Sequence, residues 1–154
     1  MKRFAMLLVA MLFATNALCS AQDFGGLNEI RFGNWEEKDW YDNDYLRELR
    51  SYIDAVDAGE IEDEVLGEYK ELLSGKFAVA SIEPAIFGGL YIGFCFYDAP
   101  SILFFAHVYS YVDEMAETVV GYDLRGIIKH DEEIDFTRED IEFYLEECPL
   151  AKLW

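Results

Sequence analysis

The chain has 154 residues, enough for one domain with a proper core and too few for two. Its 31 acidic residues against 12 basic ones give a net charge of −19. Such a field repels nucleic-acid phosphates and anionic lipid and attracts cationic partners, while 10 Tyr and 12 Phe carry too much aromatic surface for a disordered chain.

Lys2 and Arg3 open the sequence with positive charge, Phe4 to Ala14 is an unbroken apolar run, and small residues follow to Cys19-Ser20-Ala21. This is the layout of a secretory signal peptide. The run is shorter than the roughly 20 apolar residues that span a bilayer. Cleavage is expected after Ala21, with Ala17 as the alternative. Leu18 is bulkier than lipid attachment at Cys19 usually accepts. The expected product, residues 22–154, is one acidic domain in the periplasm or outside the cell. It keeps ten basic residues against all 31 acidic ones, a net charge of −21. Its two cysteines, Cys95 and Cys148, suit one disulfide in an oxidising compartment. The closed loop would contribute about 4 kcal/mol in the chain-entropy account. Two buried free thiols are the alternative.

Residues 22–41 show no periodicity. Trp35 and Trp40 stand among charges there and are expected to pin this leading segment to the domain. From Asp44 to Val56, Tyr45, Leu46, Leu49, Tyr52, Ile53 and Val56 recur in steps of three and four, which predicts an amphipathic helix. Gly59 ends it. A second stripe, Ile61, Val65, Leu66, Tyr69, Leu72 and Leu73, predicts a second helix stopped at Ser74-Gly75. The short connection makes the two an αα-hairpin.

The period then changes. Phe77–Ile82, Leu90–Tyr97, Ile102–Tyr111 and Glu117–Leu124 read as four strands by branched and aromatic content. A four-residue turn at Asp98–Ser101 would place Cys95 opposite Phe104 and Gly93 opposite Ala106. Both faces of that hairpin are apolar in this register, and a bulge that swapped one strand's faces would leave them so. The hairpin should therefore be covered on both sides. Residues 129–135 read as a charged connector. Thr137 to Asp140 resembles a capping box with Asp in the place of Glu, opening a short helix with Ile141, Tyr144 and Leu145 inward. Trp154 should dock. The architecture expected is α+β: an N-terminal αα-hairpin, a four-stranded mostly antiparallel sheet and a C-terminal helix.

No phosphate loop, zinc motif or nucleophile elbow is present, and no cofactor or metal is called for. The acidic run Asp131–Glu142 matches several calcium-loop positions, but Phe136 stands where the loop needs glycine. His107 lies mid-strand among aromatics and His130 in the acidic connector. Tyr91, Tyr97, Tyr109, Tyr111 and Tyr122 gather on the strand-forming half. Tyrosine has an apolar body and a polar tip, so Tyr91, Tyr97, Tyr109 and Tyr111, with His107, are the candidate ligand-binding residues. The expected function is an exported, non-enzymatic binding domain for a protein, peptide or glycan, with a basic protein favoured by charge. The alternatives are an acidic inhibitor or immunity-type protein acting on a basic enzyme, and a small hydrolase or isomerase using His107 with a carboxylate in a sheet-lined pocket.

Overall fold

The buried residues of the predicted stripes pack on a single antiparallel sheet. The computed structural model describes residues 43–85, 88–147 and 151–154, all within one compact unit, Arg31–Trp154. The expected signal peptide, the tryptophan-pinned leading segment and Cys148 lie outside the described residues.

Helix α1, Asn43–Asp57, buries Leu46, Leu49, Tyr52, Ile53 and Val56. These are the inward positions of the stripe. It closes as a Schellman motif. Gly59 takes φ +75° and donates its N–H to the Val56 carbonyl at 3.0 Å, while Glu60 donates to Ala55 at 2.9 Å. The second limb differs from its prediction. In place of an α-helix from Ile61 there is a 3₁₀ segment η1, Leu66–Leu72, kinked at Tyr69. The reason lies at both ends of the stripe. Ile61 is exposed, and Asp63 turns the chain by accepting the N–H groups of Val65 and Leu66 at 3.0 and 2.8 Å. The buried Leu66 and Tyr69 are three residues apart, the spacing that a 3₁₀ turn eclipses. Arg50 of α1 then caps the far end, donating to the carbonyls of Leu73 at 2.7 Å and Gly75 at 2.9 Å.

The sheet runs β1 (Phe77–Pro84), β2 (Leu90–Phe96), β3 (Ala99–Asp113) and β4 (Thr118–Asp131). Spatial order follows chain order and every pair is antiparallel. The β2–β3 register is one residue from the expected one: Phe94, not Cys95, lies opposite Phe104. The turn is the tight Tyr97-Asp98, β3 starts at Ala99, and an irregularity between Phe94 and Phe96 absorbs the difference. The faces of β3 therefore swap, and both stay apolar. One face carries Phe77, Val79, Ile92, Phe94, Phe104, Ala106 and Val108 into the main core with α1 and η1. Phe94 stacks on Phe104 with ring centroids 5.5 Å apart. The opposite face carries Ala78 and Cys95 under helix α2, Arg138–Glu147, through Ile141 and Leu145. Further along that face, Leu103 and Phe105 are also buried.

The stretch read as a charged connector is in part strand: β4 continues to Asp131, with Lys129 opposite Phe105 and His130 opposite Phe104. The long β3 supplies a partner for every one of those residues. The capping box forms as read. Thr137 donates its N–H and Oγ1 hydroxyl to Asp140 Oδ2, both at 2.8 Å, and Asp140 N–H returns to Thr137 Oγ1 at 3.3 Å. Trp154 docks, exchanging two backbone hydrogen bonds with Phe77. Cys95 is a buried free thiol. Among the described residues no helix is long and apolar enough to cross a membrane.

Candidate functional site

On the sheet face opposite α1, period-2 alternation places Tyr91 of β2 beside His107 of β3, and Tyr109 of β3 beside Asp123 of β4. The rings form a continuous ladder. Tyr91 and His107 centroids are 4.5 Å apart, His107 and Tyr109 3.8 Å. Arg125 extends it, with its guanidinium 5.1 Å over the Tyr109 ring. Its Nε donates to Asp123 Oδ2 at 3.1 Å, and the Tyr111 hydroxyl donates to the same oxygen at 3.0 Å. The Arg125 hydrogen bond, then that of Tyr111, hold the Asp123 carboxyl below the usual carboxylate range. Lys129 stands 4.7 Å over the Phe105 ring. Two of the few cations in an acidic chain thus lie on aromatic faces here.

The ladder is anchored from behind. His107 Nε2 lies 2.9 Å from the Gly88 carbonyl. A carbonyl only accepts, so Nε2 carries the proton and donates. Gly89 makes that approach tight: it takes φ +85°, and a Cβ there would stand 2.1 Å from the Val108 carbonyl oxygen. His107 is 7 % exposed. Among the described residues no hydrogen bond joins it to a carboxylate, so the geometry gives it no orienting acid of the kind a general base uses.

Four of the five candidate residues therefore come together: Tyr91, His107, Tyr109 and Tyr111. Tyr97 does not join them. It sits at the β2–β3 turn, donates its hydroxyl to Glu142 Oε1 at 2.7 Å and lies 5.1 Å beneath the Arg138 guanidinium. The hydrogen bond to Glu142, then burial, raise its pKa. Tyr97 pins α2 to the sheet. Tyr122 faces the main core against Tyr45, at 4.6 Å. His130 is a strand residue packed on Tyr69 at 5.2 Å, not part of a connector. Asp131 ends β4 while Asp140 caps α2, so the acidic run is divided between two elements. Among the described residues no group of three or more His, Cys, Asp or Glu could hold a metal ion.

Sequence reading missed Arg125 and Asp123. The available signal was an Asp-x-Arg pair in a strand, in a chain where arginine is scarce. No protein family, curated protein or solved structure matches this chain.

Proposed function

We propose that this chain is an exported, non-enzymatic binding domain that recognises a protein partner outside the cytoplasm through the face of Tyr91, Tyr109 and Tyr111, which the buried His107 backs. The observation that carries the reading is the ladder itself. Rigid amphipathic rings in contact, flanked by an Arg–Asp–Tyr hydrogen-bond network, are the residue types that dominate protein recognition surfaces. Two-torsion aromatic side chains lose little entropy on binding, and here they are already stacked. The charge of −21 expected for residues 22–154 favours a basic partner. An inhibitor or immunity-type role on a basic enzyme is the specialised form of the same reading. The hydrolase alternative has no comparable support, since His107 donates to a backbone carbonyl and is clasped by two tyrosine rings.

The test compares affinity capture by the full chain with capture by a Tyr109→Ala/Arg125→Ala variant, at low and high salt. The variant gives up the His107–Tyr109 stacking and the Arg125 contacts, so its melting midpoint should fall modestly, and capture is compared at a temperature where both chains are fully folded. A partner retained by the parent chain and lost by the variant supports the reading. Identical capture by the two chains refutes it.

A further inference from the structure

We infer that the end of the β3–β4 hairpin is a preorganised anchor that inserts into an apolar cleft of a basic protein. The inference deepens the binding-domain reading and rests on it. β2 pairs with β3 only as far as Val108, whereas β3 and β4 pair on to Asp113 and Thr118. The two strands therefore project beyond the sheet as an arm. Apolar side chains line it in the open: Tyr111 is 45 % exposed, Val112 54 %, Val119 45 %, Val120 65 % and Met115, at the apex, 97 %. Among the described residues, only Ile61, Ile128 and Phe143 are large hydrophobics similarly exposed elsewhere. Scattered exposed hydrophobics need no explanation, but five on one projecting element do.

The apex is held in one shape. Asp113 Oδ1 accepts the N–H of Met115 at 2.8 Å and of Ala116 at 3.2 Å, and Glu117 takes φ +52° to close the turn. An anchor already in its bound shape loses less entropy on docking. Charge then selects the occupant. Beyond the Asp123–Arg125 pair at its base, residues 110–122 carry Asp113, Glu114 and Glu117 and no basic side chain. The complementary surface is an apolar floor with a rim of Lys and Arg. A second copy of this chain, itself strongly acidic, and any nucleic acid are repelled.

The experiment places a photoreactive benzoylphenylalanine at position 115, and separately at position 109, in the full chain, irradiated in an extract of the producing cells and their medium. Adducts are identified by mass spectrometry. The identified protein is then purified, and its binding to three chains is measured by surface plasmon resonance. The chains are the parent, a Met115→Asp/Val120→Asp variant and the Tyr109→Ala/Arg125→Ala variant. Position 115 should capture one protein of net positive charge. The arm variant, whose substitutions sit on exposed side chains and should leave melting unchanged, should bind it about thirtyfold or more weakly. Raising salt from about 20 to 300 mM should slow association about tenfold. Capture by position 115 of only a second copy of this chain, or of an acidic protein, overturns the inference. So does full binding by the arm variant when the Tyr109/Arg125 variant has lost it, a result that leaves the binding-domain reading standing. Adducts at neither position overturn both, as does equal binding of the captured protein by all three chains.

Discussion

Replacing Asp63 with alanine removes one acceptor group that serves three elements. Oδ1 accepts two backbone N–H groups at the start of η1, those of Val65 and Leu66. Oδ2 accepts the Tyr52 hydroxyl of α1 at 2.8 Å and the Ile127 N–H of β4 at 2.9 Å. Losing a helix-start acceptor costs about 0.5–2 kcal/mol. Tyr52 and Ile127 are both buried, and leaving such a donor unpaired costs about 1–3 kcal/mol each. Asp63 is itself only half-buried, so water replaces part of what is lost. The sum expected for Asp63→Ala is about 3–4 kcal/mol, read as a lower urea midpoint at unchanged slope. The melting temperature should fall by roughly 10–15 °C. Asp63→Asn keeps one carbonyl oxygen and can serve only one of the two donor pairs, so about 2 kcal/mol should be lost. A second signal is independent of stability. Burial, then the hydrogen bond to Asp63, then its negative charge all raise the Tyr52 pKa. In Asp63→Asn, Tyr52 should ionise at lower pH, seen as phenolate absorbance in folded protein. A loss below about 1 kcal/mol in Asp63→Ala, with Tyr52 ionisation unmoved, would refute the account of Asp63 as the tie between helices and sheet edge.

Phe94→Ala should destabilise by about 3–5 kcal/mol, because Phe94 is fully buried between Phe77 and Phe104; under about 1 kcal/mol in urea denaturation would contradict the observed register. Stability should decline at alkaline pH. Burial, then Asp63, raises Tyr52; the Glu132 hydrogen bond, then burial, pushes Tyr69 up to about 12; burial pushes Cys95 up to about 12. The unfolded chain releases these protons first, at about pH 8.5 for Cys and 10 for Tyr. The contribution is therefore whole below pH 8 and is lost as pH rises toward the folded values, and urea midpoints flat from pH 7 to 11 would contradict it. Cys95 should react with thiol reagents only as fast as the domain opens; rapid labelling of the folded protein would show that its cover under α2 is absent. The exported chain should begin at Gln22, and an intact mass retaining residues 1–21 would remove the signal-peptide reading.

The legibility of the fold follows how local each determinant is. The α1 stripe, its Gly59 closure and the Thr137–Asp140 cap each depend on a few neighbouring residues, and each formed as read. The second helix did not: Asp63 turned the chain onto Val65 and Leu66, and the groups that hold its other oxygen in place, Tyr52 and Ile127, come from 11 and 64 residues away, outside any local pattern. The β2–β3 register failed for a related reason. Both faces of these strands are apolar, so hydrophobic alternation does not specify which side chain lies opposite which. The turn decided it: a two-residue Tyr97-Asp98 connection leaves Phe94 facing Phe104, and the wrong register would have split that stacked pair between two faces.

The candidate surface follows from the same inequality of strands. Composition pointed to the tyrosines, but the sequence alone does not tell Tyr97, whose partner Glu142 is 45 residues away, from Tyr109, which stacks on His107 of its own strand and lies under Arg125 of β4. The swap of the β3 faces brings His107 and Tyr109 to the Tyr91 side; Tyr97 shares that face but lies at the far end of β2, held under α2 by Glu142 and Arg138. Seven residues of β2 cannot cover fifteen of β3. Where β2 ends, the ladder runs out onto a two-stranded arm, and the side chains that a longer β2 would have helped to cover stand in water. A sheet under selection for stability alone would shorten that arm or make it polar, since exposed strand edges and apolar tips invite aggregation. Keeping it long, apolar and acidic-rimmed makes sense if its solvent-exposed state is the unbound one.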